Sequence, residues 1–444
     1  MPELVRPGDP SYDAARRVRN ARIDRRPAAI ARCAGTADVV AAIDHARAHG
    51  LGVAVRGGGA NVAGWGTCDG GLVIDTGPMK QLVVDPARQL ASAGPGLTWG
   101  EFDAGTAPYG LALPGARNTG VGIAGHTLGG GVGDLSRQFG LTSDNLVEAE
   151  VVTAAGAVVR ATADENPELF WALRGGSGNF GVVTRFTFRL HPVSTVVAGP
   201  IVHPYAAVPA ALRSARDWLA TAPDEASLIA IVWTAPPLPF IPEQYWYERG
   251  ALLIPTWFGD PARADEVLRP LLTDPAPVAT AIRPMAYADY QSLLGSPPDF
   301  ASQHVYNRGE LLPALPDDVL DRILQHWQAS GPNYSVVFGA LGGAIGRGGP
   351  TAFAHREAQW FVELCAQWYG AADSELHVGV AADGWQALQD VTLGPYLNLL
   401  PDTDPEWVGA AFGANHERLV AIKQVWDPEN LFRFGPALHS PPAN

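Results

Sequence analysis

The sequence predicts an α+β fold divided into more than one domain, and three observations carry that expectation. Short apolar runs alternate with helical periodicity through the first part of the chain. Glycine clusters recur in that part, and around His191-Pro192 they give way to a region richer in Trp and Tyr. The length, 444 residues, also permits two or three domains at about 150 residues each.

The elements follow in order. ADVVAAIDHARAHG places Val39, Val40, Ile43 and Ala46 at helical spacing and ends in Gly50, a stop signal. LGVAVR reads as a short buried strand that runs straight into Gly57, Gly58 and Gly59, and GLVIDT and QLVVDP are further strands bounded by turn residues. ASAGPGLTWGEFDAGTAPYG reads as a strand leading into a helix, and VEAEVVTA, AVVRAT and VVTRFTFRL as strands. Beyond residue 196, SLIAIVWTA and GALLIPTWF alternate with the helical patterns PARADEVLRPLL and PDDVLDRILQHWQAS, a second α+β unit with a sheet able to face a ligand. The expected division is 1–195, 196–395 and a closing segment 396–444, helical in its middle.

Composition narrows the function. At 47% hydrophobic and 17% charged, the chain can bury sizeable cores. A formal charge of −14 without a Lys/Arg cluster disfavours nucleic acid as a partner. Cys33, Cys68 and Cys365 form no CxxC pair, and no HExxH or paired-His pattern occurs, so no metal site is expected. The start shows no apolar stretch of a secretory signal, and no run reaches the roughly 20 apolar residues of a membrane span. A cytoplasmic monomer or homodimer is the resulting expectation.

Three glycine-rich segments carry the chemistry. The first, Arg56-Gly57-Gly58-Gly59-Ala60-Asn61-Val62-Ala63-Gly64, follows a strand. Consecutive glycines let backbone N–H groups converge on an anion such as a diphosphate, whereas a plain tight turn needs only one or two. It lacks the spacing of a nicotinamide-binding fingerprint and the Gly-Lys-Ser/Thr of a phosphate loop. The second runs from Asn118 to Gly133, and its glycines suit close packing of backbone against a large flat ligand. The third, Gly175-Gly176-Ser177-Gly178-Asn179-Phe180-Gly181-Val182-Val183-Thr184, feeds a strand.

Together, VRGGG-x-N-VAG, TGVG-x-x-G-x-TLGGG-x-G and DENPELFWALRGGSGNFGVVT resemble the FAD domain of berberine-bridge-enzyme-like oxidases, within the group typified by vanillyl-alcohol oxidase. The resemblance continues through LLIPTWFGDP and TAFAHRE to PYLNL and WDPENLFRF, and so covers nearly the whole chain. It implies a two-part PCMH-type FAD-binding domain, made of the N-terminal part and the C-terminal segment. Between them it implies a substrate domain with an antiparallel sheet covered by helices. Carried over residue by residue, Arg56, Gly57, Gly58, Gly59, Ala60 and Asn61 would hold the diphosphate and approach the flavin, with Gly64 also among the cofactor residues. Asn118, Thr119, Gly120, Val121, Gly122, Ala124, Gly125 and His126 would line the flavin. Gly178, Asn179, Gly181, Val182 and Val183 would take the adenosine half, and Asn430 would complete the cofactor set.

The departures are specific. Relatives commonly tether the flavin through a histidine where this chain has Ala60, and some add a cysteine where it has Asn118. Neither residue can form the bond, so the expectation is FAD held without a covalent link. Asp134 stands where relatives often carry an aromatic residue; it reads equally as a carboxylate at the cavity or as a helix N-cap before LSRQFG. Gly435-Pro436-Ala437 replaces a usual Asn-Gln-Asn, and Val121 matches relatives that react with oxygen. The reaction expected by resemblance is oxidation of a small organic substrate, with O2 as the second substrate and a bacterial natural product as the setting. Tyr396 and Asn398 of Tyr-x-Asn, with Asp134, are the candidate catalytic residues. Tyr396 can serve as a base only if its pKa, near 10, is lowered, and its other reading is packing against the flavin edge. Tyr306, Arg308, Glu310 and His355 are weaker candidates. A non-redox cyclase or isomerase using the same pocket is the alternative function.

Overall fold

The computed structural model describes residues 2–193, 195–295 and 302–438. The first part forms two sheets. In one, β1 (Glu3–Val5), β2 (Ala29–Arg32), β3 (Val53–Arg56) and β4 (Leu72–Asp75) lie in the order β1-β2-β4-β3, with β4 parallel to β2 and to β3. Helix α1 (Tyr12–Ala15) leads into this sheet, and α2 (Thr36–Ala48) packs on it through Val39, Ala42, Ile43 and Ala46. Gly50, just beyond, takes φ +64, the left-handed turn that the sequence anticipates.

The second sheet is antiparallel, in the order β5-β6-β10-β8-β9. It comprises β5 (Leu82–Asp85), β6 (Leu90–Ala93), β8 (Leu146–Val152), β9 (Val158–Ala161) and β10 (Val182–Arg189). The small strand β7 (Leu111–Ala112) pairs with β11 (His191–Pro192). Helix α3 (Trp99–Thr106) is started by a capping box: the Thr98 hydroxyl takes the Glu101 amide while the Glu101 carboxylate takes the Thr98 amide. Its buried side, Trp99 and Phe102, joins the core shared with α4 (Ile123–Leu128) and α6 (Pro167–Ala172). The short α5 (Ser136–Phe139) lies between α4 and α6.

The third sheet holds the aromatic-rich region. Strands β12 (Thr195–Ala198), β13 (Ile201–Pro204), β14 (Ala226–Thr234), β15 (Arg249–Trp257), β16 (Ala279–Thr280), β17 (Arg283–Ala286), β18 (Gln303–Leu312), β19 (Tyr334–Ala340), β20 (Trp360–Tyr369) and β21 (Gly394–Pro395) form one antiparallel sheet. Its long axis runs β16-β13-β15-β14-β19-β20-β18-β21. Helices α7 (Val208–Thr221), α10 (Asp317–Ala329) and α11 (Ser374–Trp385) cover one face. PARADEVLRPLL does not form one helix; 3-10 turns flank a short α8 (Ala264–Leu268), with Pro270 beyond it lacking the amide a continuing helix needs. The short α9 (Tyr287–Gln291) returns toward α3.

Alternation along these strands decides what each face does. Leu228, Ala230 and Val232 of β14, Val336 and Phe338 of β19, and Val362 and Leu364 of β20 enter the helix-covered core. Their neighbours Ile229, Val337, Gly339, Phe361 and Glu363 project from the opposite face. The closing α12 (Pro405–Phe412) and α13 (His416–Trp426) pack back on the core of the second sheet through Val408, Phe412, Leu419 and Ile422. The C-terminal segment is also tied to the third sheet: the Arg308 guanidinium on β18 lies between the Trp385 and Trp407 rings, 3.7 and 4.0 Å from their centroids. No described helix is long and apolar enough to cross a membrane.

Candidate functional site

A cavity of about 500 Å³ separates the glycine loops from the open face of the third sheet. Most of the cofactor residues expected from the sequence line it: Arg56, Gly57, Gly58, Gly59, Ala60, Asn61, Asn118, Val121, Gly122, Ala124, Gly125, His126, Gly178, Asn179, Gly181 and Val183. The candidate catalytic residues Asp134, Tyr396 and Asn398 line it as well.

The loop after β3 has the chemistry of an anion cradle. The amides of Gly58 through Val62 meet no acceptor among the described residues, although the loop lies on the cavity. A run of unmatched N–H donors in one short loop fits a diphosphate, which brings acceptors and no donors of its own. The loop also touches the second glycine segment backbone to backbone. A Cβ on Gly58 would stand 2.5 Å from the Gly122 nitrogen and 2.7 Å from its Cα. Arg56 contributes its backbone only; its side chain turns away to the Ala15 carbonyl and to Asp75, at 2.6 and 2.9 Å.

Several expected residues stay off the cavity. Gly64 takes φ +73, the Gly64 carbonyl accepts from Arg25, and Ile23 fills the space a Cβ would need. The Thr119 carbonyl accepts from the Gly100 amide, packing the loop on α3, and the Gly120 amide donates to Asn118 Oδ1. Val182 is buried in the core between the first two sheets. Asn430 sits at φ +50 in the turn after α13, its amide on the Asp427 carbonyl. The motif therefore acts there through its aspartate. Asp427 takes the Leu431 and Phe432 amides and pairs with Lys423 at 2.5 Å, while Lys423 donates to the Asn179 carbonyl at 2.9 Å. The C-terminal segment reaches the cavity itself through Phe432, Gly435 and Pro436.

The Tyr-x-Asn pair is joined by a hydrogen bond, and the lowered pKa that a base role for Tyr396 would need is not present. The Tyr396 hydroxyl oxygen accepts from the Val132 amide at 3.2 Å and from Asn398 Nδ2 at 2.9 Å, and Asn398 Nδ2 also donates to the His126 carbonyl. Burial pushes the phenol's pKa above its usual 10, and the donors from Asn398, Val132 and Gly131 offset this only in part. His126 is pushed down to about 4 by burial, so it is neutral.

Asp134 is not a helix cap, since the residue before α5 is Leu135 and its side chain takes no cap bond. Its carboxylate instead pairs with Arg117, through both Nε and Nη2, and accepts from the Tyr290 hydroxyl at 2.6 Å. Tyr290 in turn accepts from Thr256 at 2.8 Å. The weaker candidates lie elsewhere. Tyr306, Arg308 and Glu310 alternate onto the helix-covered side of β18, where Arg308 and Glu310 pair at 2.7 Å. His355 bonds the Ala410 carbonyl at 2.8 Å from a left-handed backbone.

Sequence reasoning missed the polar wall of the third sheet. Asn307, Glu363 and Gln367 line the cavity, with Asn307 Nδ2 donating to the Glu363 carboxyl. Burial pushes Glu363 up to about 7, the Asn307 bond opposing it. The available signal was parity: in WFVELCAQWY, Phe361, Glu363 and Gln367 fall on the strand face opposite Trp360, Val362 and Leu364.

Comparison with known proteins agrees with this geometry. The FAD binding domain family matches residues 27–162, and the berberine and berberine-like family matches residues 395–438. An FAD-linked oxidoreductase of Bacillus subtilis is 30% identical over 97% of this chain and 95% of its own length. (R)-6-Hydroxynicotine oxidase of Paenarthrobacter nicotinovorans is 41% identical over 43% of this chain and 41% of its own. Among solved structures, the wild-type BBE-like 1 protein of Physcomitrella patens superposes with a TM-score of 0.88 at 26% identity, covering 99% of this chain and 97% of that one. 6-Hydroxy-D-nicotine oxidase of Arthrobacter nicotinovorans gives the same score at 28% identity, with 99% and 98% covered. With its paired FAD-domain and berberine-like segments flanking a helix-backed antiparallel sheet, this chain belongs to the berberine-bridge-enzyme-like FAD-linked oxidoreductases.

Proposed function

We propose that the protein is an oxidase that binds FAD without a covalent link and oxidises a small organic substrate, with O2 as the final acceptor. The observation that carries this reading is the cavity itself. It joins a loop of unmatched amides to a sheet face bearing a half-buried, readily protonated carboxyl, Glu363. Bound there, FAD would supply a two-electron acceptor that dioxygen regenerates with release of hydrogen peroxide. Gly58 to Val62 would hold the diphosphate, and Gly178 and Asn179 the adenosine half. Ala60 and Asn118 line the cavity and carry no group able to tether a flavin.

Glu363 is the proton acceptor in this proposal. With a pKa of about 7, it is ionised in a substantial fraction of molecules at neutral pH and takes a proton from a substrate O–H or N–H. Tyr396, kept protonated by burial, acts as a donor: the bonds from Asn398, Val132 and Gly131 are all accepted by its oxygen, leaving its O–H to point at a ligand acceptor. Asn398 fixes that phenol. Asp134, already paired with Arg117, shapes the wall. Tailoring of a bacterial natural product is the setting we favour.

The test is anaerobic mixing of the holoprotein with panels of alcohols, phenols and amines, followed through the flavin band. Bleaching by a substrate that yields hydrogen peroxide in air supports the oxidase. Turnover without bleaching would sink it in favour of a non-redox reaction in the same pocket.

A further inference from the structure

Behind the cavity wall lies a second buried carboxyl, away from the proposed chemistry. Asp103 on α3 is 3% exposed and faces Gln291, 1% exposed, at the end of α9. Gln291 Nε2 donates to Asp103 Oδ2 and to the Ala116 carbonyl, both at 3.4 Å. The other two oxygens of the pair, Asp103 Oδ1 and Gln291 Oε1, are buried and have no hydrogen-bond partner. Both are acceptors if Asp103 is ionised, and two buried acceptors side by side are costly. One proton on Oδ1 resolves both: the acid O–H donates to Oε1 and closes an acid–amide ring whose other side is the existing N–H bond.

The surroundings supply no charge that would favour the ionised form. Tyr287 of α9 is near enough for the two to repel if both were charged. The Arg117 guanidinium pairs with Asp134 and Tyr290 through Nε and Nη2, and Lys80, beside the start of α3, is paired with Glu101. Strands β5 and β7, which also pack on α3, bring no cation. Burial accordingly raises Asp103 to about 7.

The pair sits where it can act on the cavity. Ala116 and Arg117 are wall residues. Helix α9 grips both: Gln291 takes the Ala116 carbonyl, and Tyr290 accepts from Arg117 at 2.9 Å. We propose that Asp103 is held as a neutral acid and is a positioning residue: paired with Gln291, it locks α9 against the Ala116–Arg117 wall, and its ionisation loosens that wall. The inference needs no particular substrate, and its stability test needs no flavin chemistry, so it can fail independently of the oxidase reading.

The sign follows from linkage. An acid whose folded pKa is raised contributes stability that is full below its unfolded value, about 3.9, and is lost as pH rises through about 7. Asp103→Asn keeps the ring at every pH, since its Nδ2 supplies the missing donor. Glu363 titrates in the same window, so the comparison is made in Glu363→Gln. There, Asp103→Asn is expected to flatten the fall of the thermal midpoint with pH and to raise the midpoint at pH about 8. An unchanged slope, or a lower midpoint at that pH, overturns the proposal. For the wall, FAD release on dilution from the Glu363→Gln holoprotein should speed up several-fold between pH about 6 and about 8, and not once Asp103→Asn is added. Release independent of pH in the Glu363→Gln chain overturns the positioning role. Should Asp103→Asn fail to accumulate, Gln291→Leu must abolish the pH step in release; a step that survives in it overturns the proposal equally.

Discussion

Asn307 on β18 donates its side-chain amide to the Glu363 carboxyl on β20, and both residues face the cavity from one side of the sheet. Only the ionised carboxylate can accept a proton, so kcat/KM should rise with pH through about 7. Glu363→Gln should lower it about 10²–10⁴-fold and remove that limb of the profile. Asn307→Leu takes away a donor that favours the charged form, and should move the limb to higher pH. Steady-state rates across pH decide this, and an unmoved limb in Glu363→Gln would discard Glu363 as the base.

Tyr396 holds two donors that lose their acceptor if the hydroxyl is removed. Tyr396→Phe should keep its ring against Phe353 yet cost about 1–3 kcal/mol of stability from the unmatched Val132 and Asn398 groups. Turnover should fall without a shift in the pH limb that belongs to Glu363. Denaturant titration and pH–rate profiles read the two effects separately.

How much of this site was legible in the sequence depends on the kind of signal each part leaves. Backbone cradles leave glycines, and the loops at 57–59 and 120–125 stand out in the sequence for that reason; at Gly58 and Gly122 the backbones approach too closely for a Cβ. The polar wall of the third sheet leaves only a parity. Tyr306, Arg308 and Glu310 attract attention as charged and aromatic residues, yet a shift of one position along β18 carries them to the helix-covered side and gives the cavity to Val305 and Asn307. Periodicity cannot say which side of a two-faced sheet is covered until the partner helices are known. Likewise Asn430 marked the right segment, but the contact runs through Asp427 and Lys423, which only the folded chain brings to Asn179.

FAD should leave the protein when it is denatured, because neither Ala60 nor Asn118 can bond it. After acid precipitation the yellow colour is expected in the supernatant; colour retained in the pellet would contradict the proposal.

Gly122→Ala tests the backbone contact between the two loops. The added Cβ would stand 2.7 Å from the Gly58 Cα. Overpacking of this kind costs about 1–3 kcal/mol, and FAD affinity should fall more than thermal stability because the anion cradle is displaced. Fluorescence titration of the apoprotein measures the first and calorimetry the second.

Asp134→Ala leaves the Arg117 guanidinium buried without its counter-charge, a change that costs about 3–5 kcal/mol. Tyr290→Phe keeps the ion pair and should cost about 1–3 kcal/mol, through the lost bonds to Asp134 and Thr256. Equal losses in the two variants, by chemical denaturation, would show that the charge pairing is not what holds this wall.

The bond from Lys423 to the Asn179 carbonyl joins positions 244 residues apart. A ribosome adding about 5–20 residues per second needs at least ten seconds or so to pass from one to the other. For most of that interval the loop at Asn179 has no lysine beneath it, and the second-sheet core lacks Phe412 and Leu419. If Gly178 and Asn179 take the adenosine half as proposed, cofactor capture follows synthesis of the C-terminal segment. Nascent chains halted before residue 416 should be unable to retain FAD, however complete their glycine loops.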